Sequence, residues 1–283
     1  MKKLHSITTS IALLLITTVA TAEDSWFSIP SLSSLFDHNG DNENTKPVTW
    51  VSIKTNNYNK IDVGSDVSLM INPNHKHKNN VIIQDPDITA YVQNNTLYLQ
   101  GKCISKIDCN KTHNAFIKDI SNIKHIHTSS NAKVYGENLK KYNSTMQINT
   151  EGESSIALNG MINIESVQYN SSEASKILWI DAQDLAITAH NGRLEIAGVA
   201  NKTTLRADNK AQVGAAQLRT KNSWVSTEDS ATVSIGTLNY LYAHSENDSI
   251  ISYPQDLRET VFITKDNSKI INSKLALSYV ATK

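Results

Sequence analysis

The chain has 283 residues, 39% of them apolar, and balances 27 basic against 27 acidic side chains for a formal net charge of zero. With no basic tract it lacks the concentrated positive face that nucleic-acid binding needs, and it has no electrostatic pull toward an anionic membrane surface. Past the N-terminal segment, no stretch approaches the roughly 20 apolar residues of a membrane helix.

Residues 1–22 read as a signal peptide. Lys2 and Lys3 precede the apolar run Ile11–Val19, which is too short to span a bilayer, and Ala20-Thr21-Ala22 supplies the small-x-small cleavage pattern. Cleavage after Ala22 leaves Glu23 first and 25 basic against 27 acidic residues. The expected product is exported, with no membrane insertion after cleavage. Residues 23–47 are expected to be a flexible linker, because Asp37–Pro47 is polar and turn-rich and cannot bury enough apolar area to order itself.

From Val48 the chain alternates as short strands: Val48–Ile53, Lys60–Val63, Val67–Ile71, Val81–Ile83, Ile88–Val92 and Thr96–Leu99. Turn-formers such as Gly64-Ser65 and Asn94-Asn95 divide them, the pattern of β structure. Cys103 and Cys109 follow, six positions apart. In an exported protein the expectation is one local disulfide between them. The stretch 104–127 is the least legible.

From about residue 126 a repeat sets in. Val134, Ile156, Ile177, Leu194, Val213, Val233, Ile250 and Ile270 follow one another at gaps of 17 to 22 residues. Two positions before each stands Ala132, Ser154, Ser175, Gly192, Ala211, Ala231, Asp248 or Ser268; three before, four are asparagine, at 131, 191, 247 and 267. A second apolar strand recurs after each anchor, as in Met146/Ile148, Val167/Tyr169, Leu185/Ile187, Thr203/Leu205, Trp224, Leu241/Ala243 and Val261/Ile263. Short strands in turns of about twenty residues describe a parallel β-helix with strands stacked about 4.8 Å apart. The small residues suit tight corners. The asparagines suit positive φ and amide ladders. Eight anchors give a rod of roughly 35–40 Å.

Tyr58-Asn-Lys-Ile-Asp-Val-Gly-Ser-Asp-Val-Ser-Leu-Met-Ile71 resembles the opening of the head GIN domain family of auto-transporter adhesins: an aromatic, an "I-x-V" strand, a small turn and a "V-x-L-x-I" strand. Val81-Ile-Ile83, the hairpin Asn94–Leu99, and the units Ser154–Leu158 and Ser230–Ile235 are similar to later parts of that family's pattern, over roughly residues 50–273. This chain departs in having few glycines and in carrying the Cys103–Cys109 region. The resemblance implies a right-handed, single-stranded parallel β-helix in an exported bacterial protein, set at residues 48–273 with a C-terminal tail at 274–283. An adhesive role is implied only through the fold.

His125 and His127 fall on one face of a strand and are the metal candidates, with His113 or Asp119 as the nearest third ligand. His75 and His77 sit in a loop. Asp181, Asp184, Asp208, Glu228 and Asp229 are the carboxylates from which a glycan-cleaving pair would be drawn, but they are read as not recurring at one position of the turn. Hydrolase, phosphate-loop and zinc-protease motifs are absent. Among the aromatics Trp179, Trp224, Tyr240, Tyr242 and Tyr253, the spacing assigns Trp179 and Trp224 to the interior. The reading is an exported non-enzymatic binding module of the periplasm or cell surface, without a cofactor, whose partner is a glycan or an envelope or surface protein. A carbohydrate-active enzyme on the same scaffold and a purely structural envelope protein are the alternatives. Oligomeric state is left open.

Overall fold

In the computed structural model, the residues described are 51–53, 58–73, 81–83, 87–102, 113–118, 120–140, 145–253 and 257–273. The signal peptide, linker, Cys103, Cys109, His75, His77, Asp119 and the C-terminal tail lie outside them. Apolar alternation does what it promised: among the described residues, seventeen strands share one continuous hydrogen-bonded arrangement in which, from residue 125 onward, all pairing is parallel.

The turns stack as two ladders that meet at a tight corner. The first runs through β2 (Lys60–Gly64), β6 (Thr96–Gly101), β8 (His125–Thr128) and β10 (Met146–Gly152). It continues through β12 (Ile164–Ala207), β13 (Gln212–Thr227), β14 (Thr232–Ser245) and β16 (Glu259–Thr264). The second ladder holds β3 (Val67–Ile71), β7 (His113–Ile117), β9 (Lys133–Leu139) and β11 (Ser155–Ile162), then further stretches of β12, β13 and β14, then β15 (Ile250–Tyr253) and β17 (Lys269–Asn272). At 44 residues, β12 is extended chain that winds through more than two turns without a break.

Inward side chains stack rung on rung. In the first ladder the column is Leu97–Ile61–Ile126–Ile148–Val167, then Leu205–Val225–Ala243–Phe262. In the second it is Ala115–Leu69–Val134–Ile156, then Leu194–Val213–Val233–Ile251–Ile270. Two expected anchors move. Ile177 stacks on Leu158, because Ser175 takes the rung beside Ile156 and its hydroxyl accepts the Ile156 N–H at 3.0 Å. Ile250 yields to Ile251, which is wholly buried.

The corner between the ladders is built from small residues on both of its flanks: Thr128 and Ala132, Thr150 and Ser154, Ser171 and Ser175, Ala207 and Ala211, Thr227 and Ala231, Ser245 and Ser249, all buried. Apart from Thr150, whose buried hydroxyl has no hydrogen-bond partner among the described residues, these hydroxyls take part in bonds along the corner, as when Ser249 donates to the Thr227 carbonyl at 3.1 Å. Positive φ is carried at the tips by Ser130, Asn209, Asp229, Ser230, Asn247, Asp248 and Asp266. Of the four recurrent asparagines only Asn247 takes positive φ. Three of them ladder: Asn131 donates to Asp66 at 2.9 Å, Asn191 to Asn170 at 3.0 Å and Asn247 to Asp229 at 3.1 Å.

The helix begins well before residue 126. β2 and β3 form a full rung, and β6 and β7 form another outside it. The rung 60–71 is therefore inserted between 96–117 and 125–139, out of sequence order. Beyond it the N-terminal end is closed by antiparallel strands: β5 (Ile88–Gln93) on β6, and β4 (Val81–Ile83) on β7 with β1 (Val51–Ile53) outside that.

Candidate functional site

The outward surface of the first ladder carries most of the chemistry. Strand alternation puts every second residue there, and parallel stacking sets like positions about 4.8 Å apart. At the N-terminal end this makes a groove of about 650 Å³ lined by Lys60, Asp62, Tyr98, His125, His127 and Glu165, among others. Lys60 is the rung neighbour of His125, and Asp62 of His127. Burial, His127 and Lys60, in that order, hold the His125 imidazole below its ordinary pKa, against a hydrogen bond with Gln147 and the Asp62 charge. Tyr98 stacks on Tyr91 with centroids 4.9 Å apart.

The two metal-candidate histidines do share this face, since Ile126 and Thr128 beside them point inward. Of the two candidates for a third ligand, His113 is buried on β7 in the other ladder, and Asp119 lies outside the described residues. Among the described residues no three His, Cys, Asp or Glu side chains are placed to hold a metal ion.

Toward the C-terminal end the same face carries aromatics. Trp224 is half-buried and outward, flanked by inward Ser223 and Val225, so its expected interior place is corrected. The apolar neighbour Val225 satisfies the core and leaves the indole for the surface. Trp224 is the rung neighbour of Tyr242 and of Thr204, and Tyr240 of Asn222. Trp224 and Tyr240 rings lie 5.6 Å apart at 51°, and the Lys202 ammonium sits 4.9 Å from the Trp224 ring centre. Tyr253 packs at the end of the core against Phe262, 5.4 Å away.

Trp179 is also corrected. It is 65% exposed and has φ +64°. It occupies a second corner, where other rungs place Asn138 (φ +55°), Gly160 (φ +151°) and Gly198 (φ +139°). A Cβ on Gly160 would come 2.3 Å from the Leu139 carbonyl oxygen, and one on Gly198 2.2 Å from that of Ile180. Backbone in this conformation turns the side chain away from the core. Met161 and Val199 are exposed nearby.

The carboxylates separate. Asp181 and Asp184 follow the second corner, while Asp208, Glu228 and Asp229 lie on the first. Asp208 and Glu228 do share a position: each starts the corner turn, five residues before its inward anchor, and Glu246 repeats it before Ile251. The sequence anchors Val213 and Val233 already place Asp208 and Glu228 alike, and anchoring the last turn on Ile250 hid only Glu246. These three are matched by basic side chains. His190 Nδ1 is 2.7 Å from Asp208, and Arg206 lies 3.7 Å from Asp208 and 3.8 Å from Glu228. Lys265 bonds Glu246 at 2.5 Å and holds its carboxyl below the ordinary range, while His244 Nε2 is 2.7 Å away but out of line for a hydrogen bond. The ridge pairs its carboxylates with neighbouring basic side chains.

Residues 57–255 match the family described as "Putative auto-transporter adhesin, head GIN domain". No curated protein matches the chain in sequence. The fold is similar to that of a putative adhesin from Bacteroides fragilis NCTC 9343, with 19% identity, a TM-score of 0.57, and 81% of this chain and 98% of that one covered. It is likewise similar to a putative adhesin from Parabacteroides distasonis ATCC 8503, with 15% identity, a TM-score of 0.61 and coverage of 79% and 96%. A third structure, described as a putative lipid binding protein from the same strain, has 16% identity, a TM-score of 0.55 and coverage of 78% and 95%.

Proposed function

This chain belongs to the head GIN domain family, and from that premise we propose that it is an exported, non-enzymatic, adhesin-like module that binds glycans of the cell envelope or cell surface. The observation that carries this is the outward cluster of Trp224, Tyr240 and Tyr242 with Lys202 over the indole. Aromatic faces cover the apolar face of a pyranose, and neighbouring polar side chains hydrogen-bond its hydroxyls. The pairing of Asp208 and Glu228 with Arg206 and His190 supports binding over hydrolysis.

A glycan array with the full chain tests the reading. Binding is expected, and Trp224→Ala should weaken it about tenfold or more, the effect of losing a central aromatic. Trp179→Ala, on the other corner, should leave it unchanged. No glycan bound, or a Trp224→Ala protein that binds as well as the parent, would overturn the assignment. Export has its own measurement: the secreted protein should begin at Glu23 by mass spectrometry, and an intact Met1 would exclude cleavage.

A further inference from the structure

The two ends of the helix are finished differently. The N-terminal rung is covered by antiparallel β5, β4 and β1, and β4 and most of β7 are buried. At the other end, β16 pairs only with β14 among the described residues. Every residue of β16 is exposed, and Phe262, at 40%, ends the inward column Leu205–Val225–Ala243–Phe262. The two outward positions beside that column change character at the same rung. They hold Thr204 and Arg206, then Trp224 and Ser226, then Tyr242 and His244, but Val261 and Ile263 on β16. An edge strand with apolar side chains on both faces and no charge in its middle invites pairing with another strand.

The backbone fixes which groups that pairing can use. Lys265 donates its N–H to the Ser245 carbonyl at 3.0 Å, back into its own ladder. By strand alternation Val261 and Ile263 face the same way, while the N–H and C=O groups of Thr260, Phe262 and Thr264 point to the outer edge. The sequence here is complementary to its own reverse. Residues 258–266 read Arg-Glu-Thr-Val-Phe-Ile-Thr-Lys-Asp. Set antiparallel to itself about Phe262, this segment brings Val261 opposite Ile263, Thr260 opposite Thr264, Glu259 opposite Lys265 and Arg258 opposite Asp266. Each charge meets its opposite, although Lys265 is shared with Glu246 of its own chain. Centred on Val261 instead, the same pairing would set Glu259 against Ile263; centred on Ile263, it would set Lys265 against Val261. The centre that matches the charges also makes Phe262 and the two threonines the hydrogen-bonded pairs, and these are the residues whose backbone groups point outward.

We propose that two copies of the chain join end to end through an antiparallel pair of β16 strands centred on Phe262. The twofold axis stands normal to the first ladder, so inward faces stay inward and Phe262 packs on Phe262 of the second copy. Val261 and Ile263 cover each other on the outer face. Both outward surfaces then lie on one side, with the two Trp224 rungs five strand spacings, roughly 24 Å, apart. One glycan chain can engage both aromatic clusters, a consequence that rests on the reading above, whereas the dimer does not.

Sedimentation velocity of the full chain reads the association without any ligand. A dimer that dissociates on dilution through the micromolar range is expected. Val261→Lys/Ile263→Lys sets lysine opposite lysine twice across the axis, while in a single copy both side chains face solvent and leave the fold intact. This variant should dimerise at least about tenfold more weakly. Cross-linking reads the register. Facing residues of a non-hydrogen-bonded antiparallel pair stand about 4.5 Å apart, inside the disulfide range, whereas the two copies of position 261 lie beyond about 7 Å. A mixture of Val261→Cys and Ile263→Cys proteins should therefore form a mixed disulfide dimer under mild oxidation, located by peptide mass spectrometry, and each protein alone far less. A chain that stays monomeric at high micromolar concentration, a dimer unmoved by the two lysines, or equal disulfide yields in the mixture and in the single variants would overturn the proposal.

Discussion

Val213 sits between Leu194 and Val233 in the inward column and is 2% exposed, while Gln212 beside it faces solvent. Val213→Asp places a carboxylate in a stack with no partner for it and should cost about 3 kcal/mol or more. Gln212→Asp should stay within about 0.5 kcal/mol. Urea denaturation of both proteins checks the contrast, and equal losses would mean that the register is wrong. Trp179 gives the opposite sign. Its left-handed backbone costs about 1–2 kcal/mol in a residue with a Cβ, while glycine gives back about 0.5–1 in chain entropy. With the indole 65% exposed, little burial is lost. Trp179→Gly should therefore stabilise the protein by about 0.5–1 kcal/mol, and a lower denaturation midpoint would show that the indole is packed after all.

At the level of the strand, His125 makes stability depend on pH. Its folded pKa lies below the ordinary 6.5 because the ring is partly withdrawn from water and crowded by His127 and Lys60, with the Gln147 hydrogen bond and Asp62 opposing them. As pH falls below 6.5, the unfolded chain takes up a proton at this site that the folded chain resists. The unfolded state then binds more protons, so stability falls with falling pH between 6.5 and the folded pKa. His125→Gln removes this contribution and should lose less stability than the parent between pH 7 and pH 5. Titrating groups remote from His125 are common to both proteins and cancel in the difference. Identical pH profiles would exclude a perturbed His125. The strands themselves were largely readable, because each buries one face and alternates accordingly. Corners were readable too, since only Ala, Ser, Thr or Gly fits where rungs stack closely. What spacing could not supply was parity. One residue's shift turns Ile250 outward and Ile251 inward, and a bulge between Asn159 and Ile162 re-registers β11 on β12. The same ambiguity hid the outward faces of Trp224 and Trp179, and with them the aromatic half of the candidate site, since a large apolar side chain in a repeat looks like core until its neighbours are placed. The groove at His125 was half visible: the i, i+2 histidines announce a shared face, but nothing local says that Lys60 and Asp62, more than sixty residues away, lie on the next rung.

Over the whole molecule the order of rungs differs from the order of the sequence at one place only among those paired here, and this should show in how the chain folds. From β8 onward each rung packs on one about 20 residues away, so each added turn closes a short loop. The rung 60–71 must instead pack on residues 125–136 while 96–117 packs on its other side. Loop-closure entropy makes such distant pairings slow to reward, and a solenoid propagates from turns already formed. The ordered rungs should therefore form the folding nucleus, and the inserted rung should join late. Leu194→Ala, in a fully buried stack, should cost about 2–5 kcal/mol and act mainly by slowing refolding. Ile61→Val, equally buried but in the inserted rung, should cost about 0.5–1.5 kcal/mol and act mainly by speeding unfolding. Stopped-flow refolding and unfolding of the two variants separate the cases, provided each loss exceeds about 0.6 kcal/mol. A refolding rate more sensitive to Ile61 than to Leu194 would place the nucleus at the N-terminal end, with the antiparallel strands that close it, and the ordered turns would then be added onto a finished cap.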